Sequence, residues 1–421
     1  MNPRIAAADI LSAITDEGRA LDDALSATPS FSELEGRDRA FARAMVAAAL
    51  RRLGGIDAIL AQFLQKPLPE DAVLGRATLR IGAAQVLVLG TPAHAAVGET
   101  VAAANMRSKT RGFAKLMNAV LRLVAEQGPA LLEAQPPGAD LPAWLYTRWR
   151  AAYGAQAAEI ARALREEPPL DLSVKDDAAG WATRLLGELS ATGSVRLRAP
   201  SPVDELAGFE TGAWWVQDAA AALPAKLLGD VRGLNVLDLC AAPGGKTLQL
   251  AAAGANVTAV DRDAKRLERL EQNLARTRLA AKVICADALK LNIREPFDAV
   301  LLDAPCTSTG TLRRHPDIAW LRRPDDVRTL SGLQSALLAK AAGFVKPGGR
   351  LIYAVCSLEP EEGPGVVAQA LESGVWRREP VSNGELPAEF ITPEGDMRTL
   401  PAHWPEIGGL DGFYASRLIR A

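Results

Sequence analysis

The sequence has few of the side chains that hold metals. Among 421 residues there are four cysteines and three histidines. Cys240, Cys285, Cys306 and Cys356 form no Cys-x-x-Cys pair, so zinc-ligand spacing is missing and no metal is expected. Long apolar runs are absent too. The most apolar stretch, Ile81 to Gly98, is interrupted by Gln85, Pro92 and His94, which is too broken to span a bilayer. The start, Met1-Asn2-Pro3-Arg4, leads into a stretch carrying Asp9, Asp16 and Glu17 rather than an unbroken apolar core, unlike a secretory signal. A cytosolic protein with no membrane partner is expected. There, free cysteines are either small packing residues or chemistry. Aromatic residues make up 5 %, which gives no broad surface for stacking bases. Charge of one sign is not in excess: 48 Lys and Arg face 50 Asp and Glu, a formal net charge of -2. Nucleic-acid binders are often basic overall, so such a role must rest on where the charges sit.

What is present divides the chain into parts. At roughly 100–200 residues per domain, the length suggests two to four domains. From Ile5 to about Val124, Ala, Leu and Arg dominate, with apolar residues at three- and four-residue spacing, as in Phe41-Ala-Arg-Ala-Met45. This predicts an all-helical domain over 1–130. Gln135-Pro-Pro-Gly-Ala-Asp140 reads as a linker. Residues 138–220 are expected to form a small α+β connector: helix Trp144–Leu164, strand Leu170–Val174, helix Trp181–Leu189 and strand Val195–Arg198. The remainder, 221–421, alternates strand and helix. Buried-strand runs are expected at Asn235–Cys240, Asn256–Asp261, Lys282–Asp287, Phe297–Asp303 and Arg350–Cys356. That pattern predicts an α/β Rossmann-like domain with a parallel, doubly wound sheet. Ligands in such folds bind beyond the carboxyl ends of the strands, which here carry Asp238, Asp261, Asp287, Asp303, Cys306 and Cys356.

The loop Cys240-Ala241-Ala242-Pro243-Gly244-Gly245-Lys246-Thr247 lies between a strand and a helix. Glycines let backbone amides approach a ligand, and a helix N-terminus favours an anion. A phosphate-binding Walker loop needs Gly where Cys240 stands, and Pro243 removes an amide it would use. A dinucleotide fingerprint, G-x-G-x-x-G, is missing as well. Asp261 is placed for ribose hydroxyls and Asp287 for an adenine amine. Alone, each acid is equally well a solvated strand end or a cap; three at successive strand ends beside one Gly turn fit S-adenosylmethionine better.

Two cysteines follow neighbouring strands directly, Cys306 in Asp303-Ala-Pro-Cys-Thr-Ser-Thr-Gly310 and Cys356 in Tyr353-Ala-Val-Cys-Ser-Leu-Glu-Pro360. A lone cysteine is usually a small buried hydrophobe. Two at strand exits on the ligand side point instead to thiolate chemistry. Carbon 5 of cytosine is a poor nucleophile. Addition of a thiolate to carbon 6 makes it enamine-like, and an acid near N3, for which Asp303 is the candidate, stabilises the adduct. The base must be single-stranded or flipped out. Cys240, beneath the Gly turn, and Cys285, within a strand, are expected to be packing residues.

These motifs resemble a known family. Val236-Leu-Asp-Leu-Cys-Ala-Ala-Pro-Gly-Gly-Lys-Thr247, Ala259-Val-Asp261, Asp303-Ala-Pro-Cys306 and Cys356-Ser-Leu-Glu-Pro-Glu-Glu362 resemble the RNA 5-methylcytosine methyltransferases of the Sun/NOL/NOP type. Gly36-Arg-Asp-Arg-Ala40, Pro92-Ala-His-Ala-Ala-Val-Gly-Glu99 and Asn118-Ala-Val-Leu-Arg122 resemble the NusB fold, and the combination is similar to the branch that acts on small-subunit ribosomal RNA. The resemblance implies Cys356 as nucleophile, Cys306 as the residue assisting product release and Asp303 as the cytosine-binding acid. It implies a cofactor site built from Cys240 to Lys246 with Asp261, Arg266, Asp287 and Asp303. Asp411-Gly-Phe-Tyr414 resembles the family's C-terminal strand motif. Val355 and Thr307 depart from the Thr and Ser common there. DNA enzymes of related chemistry use the Pro-Cys cysteine as nucleophile, so the division of roles rests on the resemblance, not on spacing.

Two basic clusters are candidates for contact with ribosomal RNA. One is Arg107, Lys109, Arg111, Lys115 and Arg122, equally readable as a solvated helix face. The other, Arg313-Arg314-His315 with Arg322-Arg323, is expected beside the active site, with Trp320 either stacking on a base or packing in a core. Rival functions are a cytosine methyltransferase acting on transfer RNA and a non-catalytic RNA-binding or antitermination factor.

Overall fold

The computed structural model describes residues 1–198 and 202–421. Residues 199–201, part of the expected connector, lie outside the described residues. The chain forms two compact units, one of residues 1–166 and 312–322, the other of 167–311 and 323–421.

The first unit is helical. Its main helices span Pro3–Thr15, Gly36–Arg51, Leu53–Phe63, Val73–Leu87, Ala93–Asn105 and Ala114–Glu133. In Gly36–Arg51 the buried residues Ala42, Met45, Val46 and Ala49 recur every three or four positions, so one face is apolar. The small side chains let helices approach closely: a Cβ at Gly82 would sit 2.7 Å from Leu121. Asn2 caps the first helix by accepting the Arg4 amide at 2.9 Å. Among the described residues no helix is long and apolar enough to cross a membrane.

This unit extends past the expected boundary near 130. Pro137–Asp140 is a 3-10 turn rather than a free linker, because Asp140 is buried between two cations. Arg165 donates to it at 2.7 Å, and Arg52 Nε lies 2.9 Å from its other oxygen as an ion pair without hydrogen-bond alignment. The expected helix 144–164 is two helices, Ala143–Tyr153 and Gln156–Ala163, broken at Gly154 with φ of 55°. Residues 312–322 also belong here. Leu21 N donates to Asp317 at 2.9 Å, Arg51 to the Arg313 carbonyl at 3.1 Å, and Trp320 Nε1 to the Leu50 carbonyl at 3.1 Å. Arg313 is buried and Trp320 packs against the helical core. The second basic cluster is therefore not one RNA-facing patch: Trp320 is a packing residue, and His315 and Arg323 are its exposed members.

The second unit begins with a small antiparallel sheet of β1 (Leu170–Val174), β2 (Glu188–Leu189), β3 (Val195–Leu197) and β4 (Trp214–Val216), in the order β2-β3-β1-β4. The helix expected over 181–189 is Ala178–Arg184; Leu186 at φ of 53° turns the chain into β2. A fully buried ion pair, Arg196 with Asp171 at 2.6 and 2.7 Å, ties this sheet to the carbonyls of Ile407 and Gly409.

The large sheet contains β5 (Asn235–Leu239), β6 (Asn256–Asp261), β7 (Lys282–Cys285), β8 (Phe297–Asp303), β9 (Val345–Val355), β10 (Trp376–Arg378), β11 (Met397–Arg398) and β12 (Tyr414–Arg420). Its order is β10-β12-β9-β8-β5-β6-β7, with β11 on β12. From β9 to β7 the strands are parallel, but β12 runs antiparallel to β9 and β10 antiparallel to β12. The sheet is thus mixed, not wholly parallel as expected. Strand order reverses at β5, and its carboxyl end is the place where a doubly wound sheet opens a crevice.

Removal of the Asp140 carboxylate leaves two guanidinium groups without their buried counter-charge. Asp140→Ala is expected to lower the unfolding free energy of the full chain by about 3 kcal/mol; a urea titration showing no loss would mean that the turn carries no such tie.

Candidate active site

The loop after β5 occupies that crevice. Gly244, at φ of 107°, caps the helix Gly245–Ala252, and a Cβ there would meet Leu270 at 2.8 Å, so glycine is required on both counts. The first-turn amides of this helix lack intrahelical acceptors and favour an anion. Asp261, ending β6, holds the loop by accepting Ala242 N at 3.1 Å and Asp263 N at 3.0 Å. Arg266 donates to the Ala242 carbonyl and lies 3.9 Å from Asp261. Asp287 is half-buried and accepts Leu289 N at 3.0 Å. The loop, Asp261 and Arg266 are thus brought together, with Asp287 after the neighbouring strand β7.

Cys240 is half-buried at φ of 60°. Burial pushes its thiol up to about 12, with Asp261, Asp303 and Asp238 adding to the effect. Cys285 is exposed, which corrects the expectation of a buried packing residue. It ends β7 at the rim of the sheet, where half the strand faces out.

β8 and β9 pair in parallel register, Asp303 opposite Ala354. Three residues beyond one and two beyond the other, the chains carry Cys306 and Cys356, with sulfurs 3.5 Å apart. Cys306 is buried and Cys356 keeps part of its surface open. The pair is unequal. The hydrogen bond from Cys306 holds the Cys356 thiol below its ordinary value, against burial and the charge of Asp303, with help from Ser308 and Lys246. The same contact, burial and the nearby charges of Cys356 and Glu362 push Cys306 well up.

Lys246, buried at the start of the loop helix, donates to Asp303 at 2.7 Å and lies over the Phe413 ring at 5.1 Å. Burial alone would lower its ammonium, but the charge and hydrogen bond of Asp303 carry it upward. Asp303 thus meets the loop and the cysteines in one place.

Several features of the site went beyond the sequence reading, which had named Asp238 only as a strand-end acid. Asp238 is fully buried and accepts Thr247 Oγ1 at 2.6 Å, while its other oxygen has no partner. Phe413, within the Asp411–Tyr414 motif, reaches Lys246 from a loop more than a hundred residues away, a contact that no local pattern announces. Gly310 and Gly412 bring two loops into backbone contact. Gly412 N donates to the Gly310 carbonyl at 2.8 Å and Gly310 N to the Cys356 carbonyl at 3.0 Å, and a Cβ on Gly310 would sit 1.9 Å from Gly412 O. A glycine in each of the segments Asp303–Gly310 and Asp411–Tyr414 was the available signal.

A family profile, 16S rRNA methyltransferase RsmB/F, matches residues 225–419, and the NusB family matches residues 1–126. The chain is 35 % identical over 440 residues to ribosomal RNA small subunit methyltransferase B of Cronobacter sakazakii, covering 100 % of this chain and 99 % of that one. It is 36 % identical over 442 residues to the protein of the same name from Vibrio vulnificus, covering all of both. The chain belongs to the 16S rRNA methyltransferase RsmB/F family. Among solved structures, PH0851 is similar with a TM-score of 0.79 and 25 % identity over 99 % of both chains. A methyltransferase homolog from Pyrococcus horikoshii has a TM-score of 0.56 and 28 % identity over 65 % of this chain and 94 % of that one. As a member of the RsmB/F family, the protein is an S-adenosylmethionine-dependent RNA methyltransferase with an N-terminal NusB domain. The site fits that cofactor: a Gly turn at a helix start for a carboxylate, acids at the ends of β6 and β7 for a nucleoside, and a buried Asp238 oxygen still without a donor.

Burial raises Asp238 to about 7, with Asp303 and Asp261 adding to it and the Thr247 hydrogen bond opposing. Its folded value lies above its unfolded one, so between roughly pH 4 and 7 the folded state holds the extra proton and stability falls as pH rises. Asp238→Asn removes this slope. Urea unfolding is expected to show the variant gaining on the parent from pH 5 to pH 8; an equal difference at both pH values would count against the assignment.

Proposed function

We propose that the chain methylates carbon 5 of a cytosine in 16S ribosomal RNA through a covalent bond from Cys356 to carbon 6. The observation that carries this reading is the pair of sulfurs 3.5 Å apart with opposite shifts in acidity, at the strand ends that also hold Asp303 and Lys246. The Cys356 thiolate adds to carbon 6, and the displaced electron pair moves through the ring toward N3. Asp303 is the acid assigned to N3, and the Lys246 ammonium, which donates to it at 2.7 Å, is the group to supply the hydrogen bond or proton. S-adenosylmethionine, when bound, would supply an electrophilic methyl group for the enamine-like carbon 5 and leave as S-adenosylhomocysteine. Once the Cys356 sulfur is bonded to carbon, the negative charge that kept Cys306 protonated is gone, and Cys306 loses its proton more readily. It is then the base for the carbon 5 proton, and the electron pair left behind expels the Cys356 sulfur as thiolate. The loop from Cys240 to Lys246, with Asp261, Arg266 and Asp287, is assigned to the cofactor.

The relatives support this substrate. Full-length similarity, NusB domain included, to enzymes named for the small subunit favours ribosomal RNA over transfer RNA. Lys109, Arg111, Lys115 and Arg122 are exposed on the NusB domain and suit phosphate contact, whereas Arg107 is engaged by Asp9. A non-catalytic RNA-binding factor would have no use for the unequal sulfur pair.

Cys306→Ala, mixed with small-subunit ribosomal RNA and S-adenosylmethionine, is expected to remain joined to RNA on a denaturing gel, while Cys356→Ala forms no such band. Trapping by Cys356→Ala alone would reverse the two roles. No trapping by either, with cofactor binding intact, would refute the covalent route or the substrate.

A further inference from the structure

Glu362 lies outside the reacting set, yet its carboxylate is fully buried and accepts four hydrogen bonds. Oε1 takes Thr307 N at 2.9 Å and Gln334 Nε2 at 3.0 Å; Oε2 takes Ser357 Oγ at 2.5 Å and the Thr307 hydroxyl. Thr307 follows Cys306 and Ser357 follows Cys356. Gln334 donates from the same amide nitrogen to the Pro305 carbonyl at 2.9 Å, the residue before Cys306. The Glu362 carbonyl accepts the Tyr353 hydroxyl at 2.5 Å, which fastens the turn to β9. One side chain thus grips the neighbours of both sulfurs. A buried carboxylate is costly unless its lone pairs are satisfied, and here the satisfying donors are the two cysteine loops.

We infer that Glu362 is the positioning residue that holds the two cysteine loops at their spacing and makes Cys306 the member of the pair that stays protonated. The inference rests on the two-cysteine reading of the site. Its charge lies on the Cys306 side: Thr307, which it holds twice, is adjacent to Cys306, and a negative neighbour disfavours a second thiolate there. The other titratable groups facing the sulfurs are Asp303 and Lys246, on the Cys356 side, and Tyr353 beneath Cys306. At Cys356 the charge of Asp303 disfavours a thiolate and Lys246 favours one, while Glu362 disfavours one at Cys306, so Glu362 acts in the same direction as Lys246 on the choice.

The test needs no RNA. The full-length protein is pulsed with iodoacetamide at several pH values, and alkylation of Cys306 and Cys356 is read peptide by peptide by mass spectrometry. The parent is expected to label Cys356 first. Glu362→Gln should narrow the Cys356-to-Cys306 ratio by at least about fivefold, since one pKa unit is a tenfold change in thiolate. Its affinity for S-adenosylmethionine should be unchanged, and Glu362→Asp, which keeps the charge, should restore most of the selectivity. A ratio and pH profile equal to the parent's in Glu362→Gln would overturn the inference. If that variant does not fold, Thr307→Val decides: removing one donor should narrow the ratio by about twofold, and no change overturns the proposal. Because covalent trapping of RNA is not involved, failure here is distinct from failure of the proposed reaction.

Discussion

The site depends on one register. β8 and β9 are parallel with Asp303 opposite Ala354, so the two chains leave the sheet side by side and each delivers a cysteine within three residues. A slip of one residue would move a strand by about 3.3 Å and turn its side chains to the other face. Cys306 and Cys356 would then no longer meet. The register is strongly held, because Val300, Leu301 and Leu302 on β8 and Leu351, Ile352 and Tyr353 on β9 are all buried. On the far side of β9, β12 adds a six-residue antiparallel ladder. Apolar packing thus sets the positions that the chemistry uses.

Onto that register the fold places charges of fixed sign. Lys246 comes from the loop helix after β5, Asp303 from the end of β8 and Glu362 from the turn after β9. They are far apart in sequence and converge because β5, β8 and β9 are neighbours in the sheet. The close approach of Gly310 and Gly412 closes the arrangement, since it draws the loop carrying Phe413 against the Cys306 loop. Phe413 in turn lies against the Lys246 ammonium.

How much of this was legible follows from which residues carry local signals. The five parallel strands were readable as runs of Val, Leu and Ile ending in Asp or Cys, and both cysteines and the glycine loop stood out beside them. The edge of the sheet was not readable in the same way. In β12, Ser416 and Arg417 are buried, which breaks the apolar pattern. Arg417 is tolerated only because Glu379 at 3.0 Å and Glu385 at 2.6 Å neutralise it. Partners more than thirty residues away leave no local trace. The same holds for Asp140, where Pro and Gly suggested a free linker and the buried carboxylate decided otherwise. In the segment after Cys306, a run of arginines looked like a surface patch, but Asp317 and Trp320 bind it to the helical unit.

Glu362 shows the limit most clearly. Glu359, Glu361 and Glu362 follow Cys356 within six residues; the first and third are buried and the second is exposed. Nothing in their spacing says which one reaches the cysteine loops, because the choice is made by Gln334 and Thr307 from other parts of the chain. Nor does spacing distinguish the two cysteines. Both follow a strand, both are followed by a hydroxyl residue, and each lies against the other. What separates them is the surroundings of each sulfur: Asp303 and Lys246 lie toward Cys356, and Glu362 lies toward Cys306. Two equivalent sequence motifs thus become inequivalent only in the folded chain.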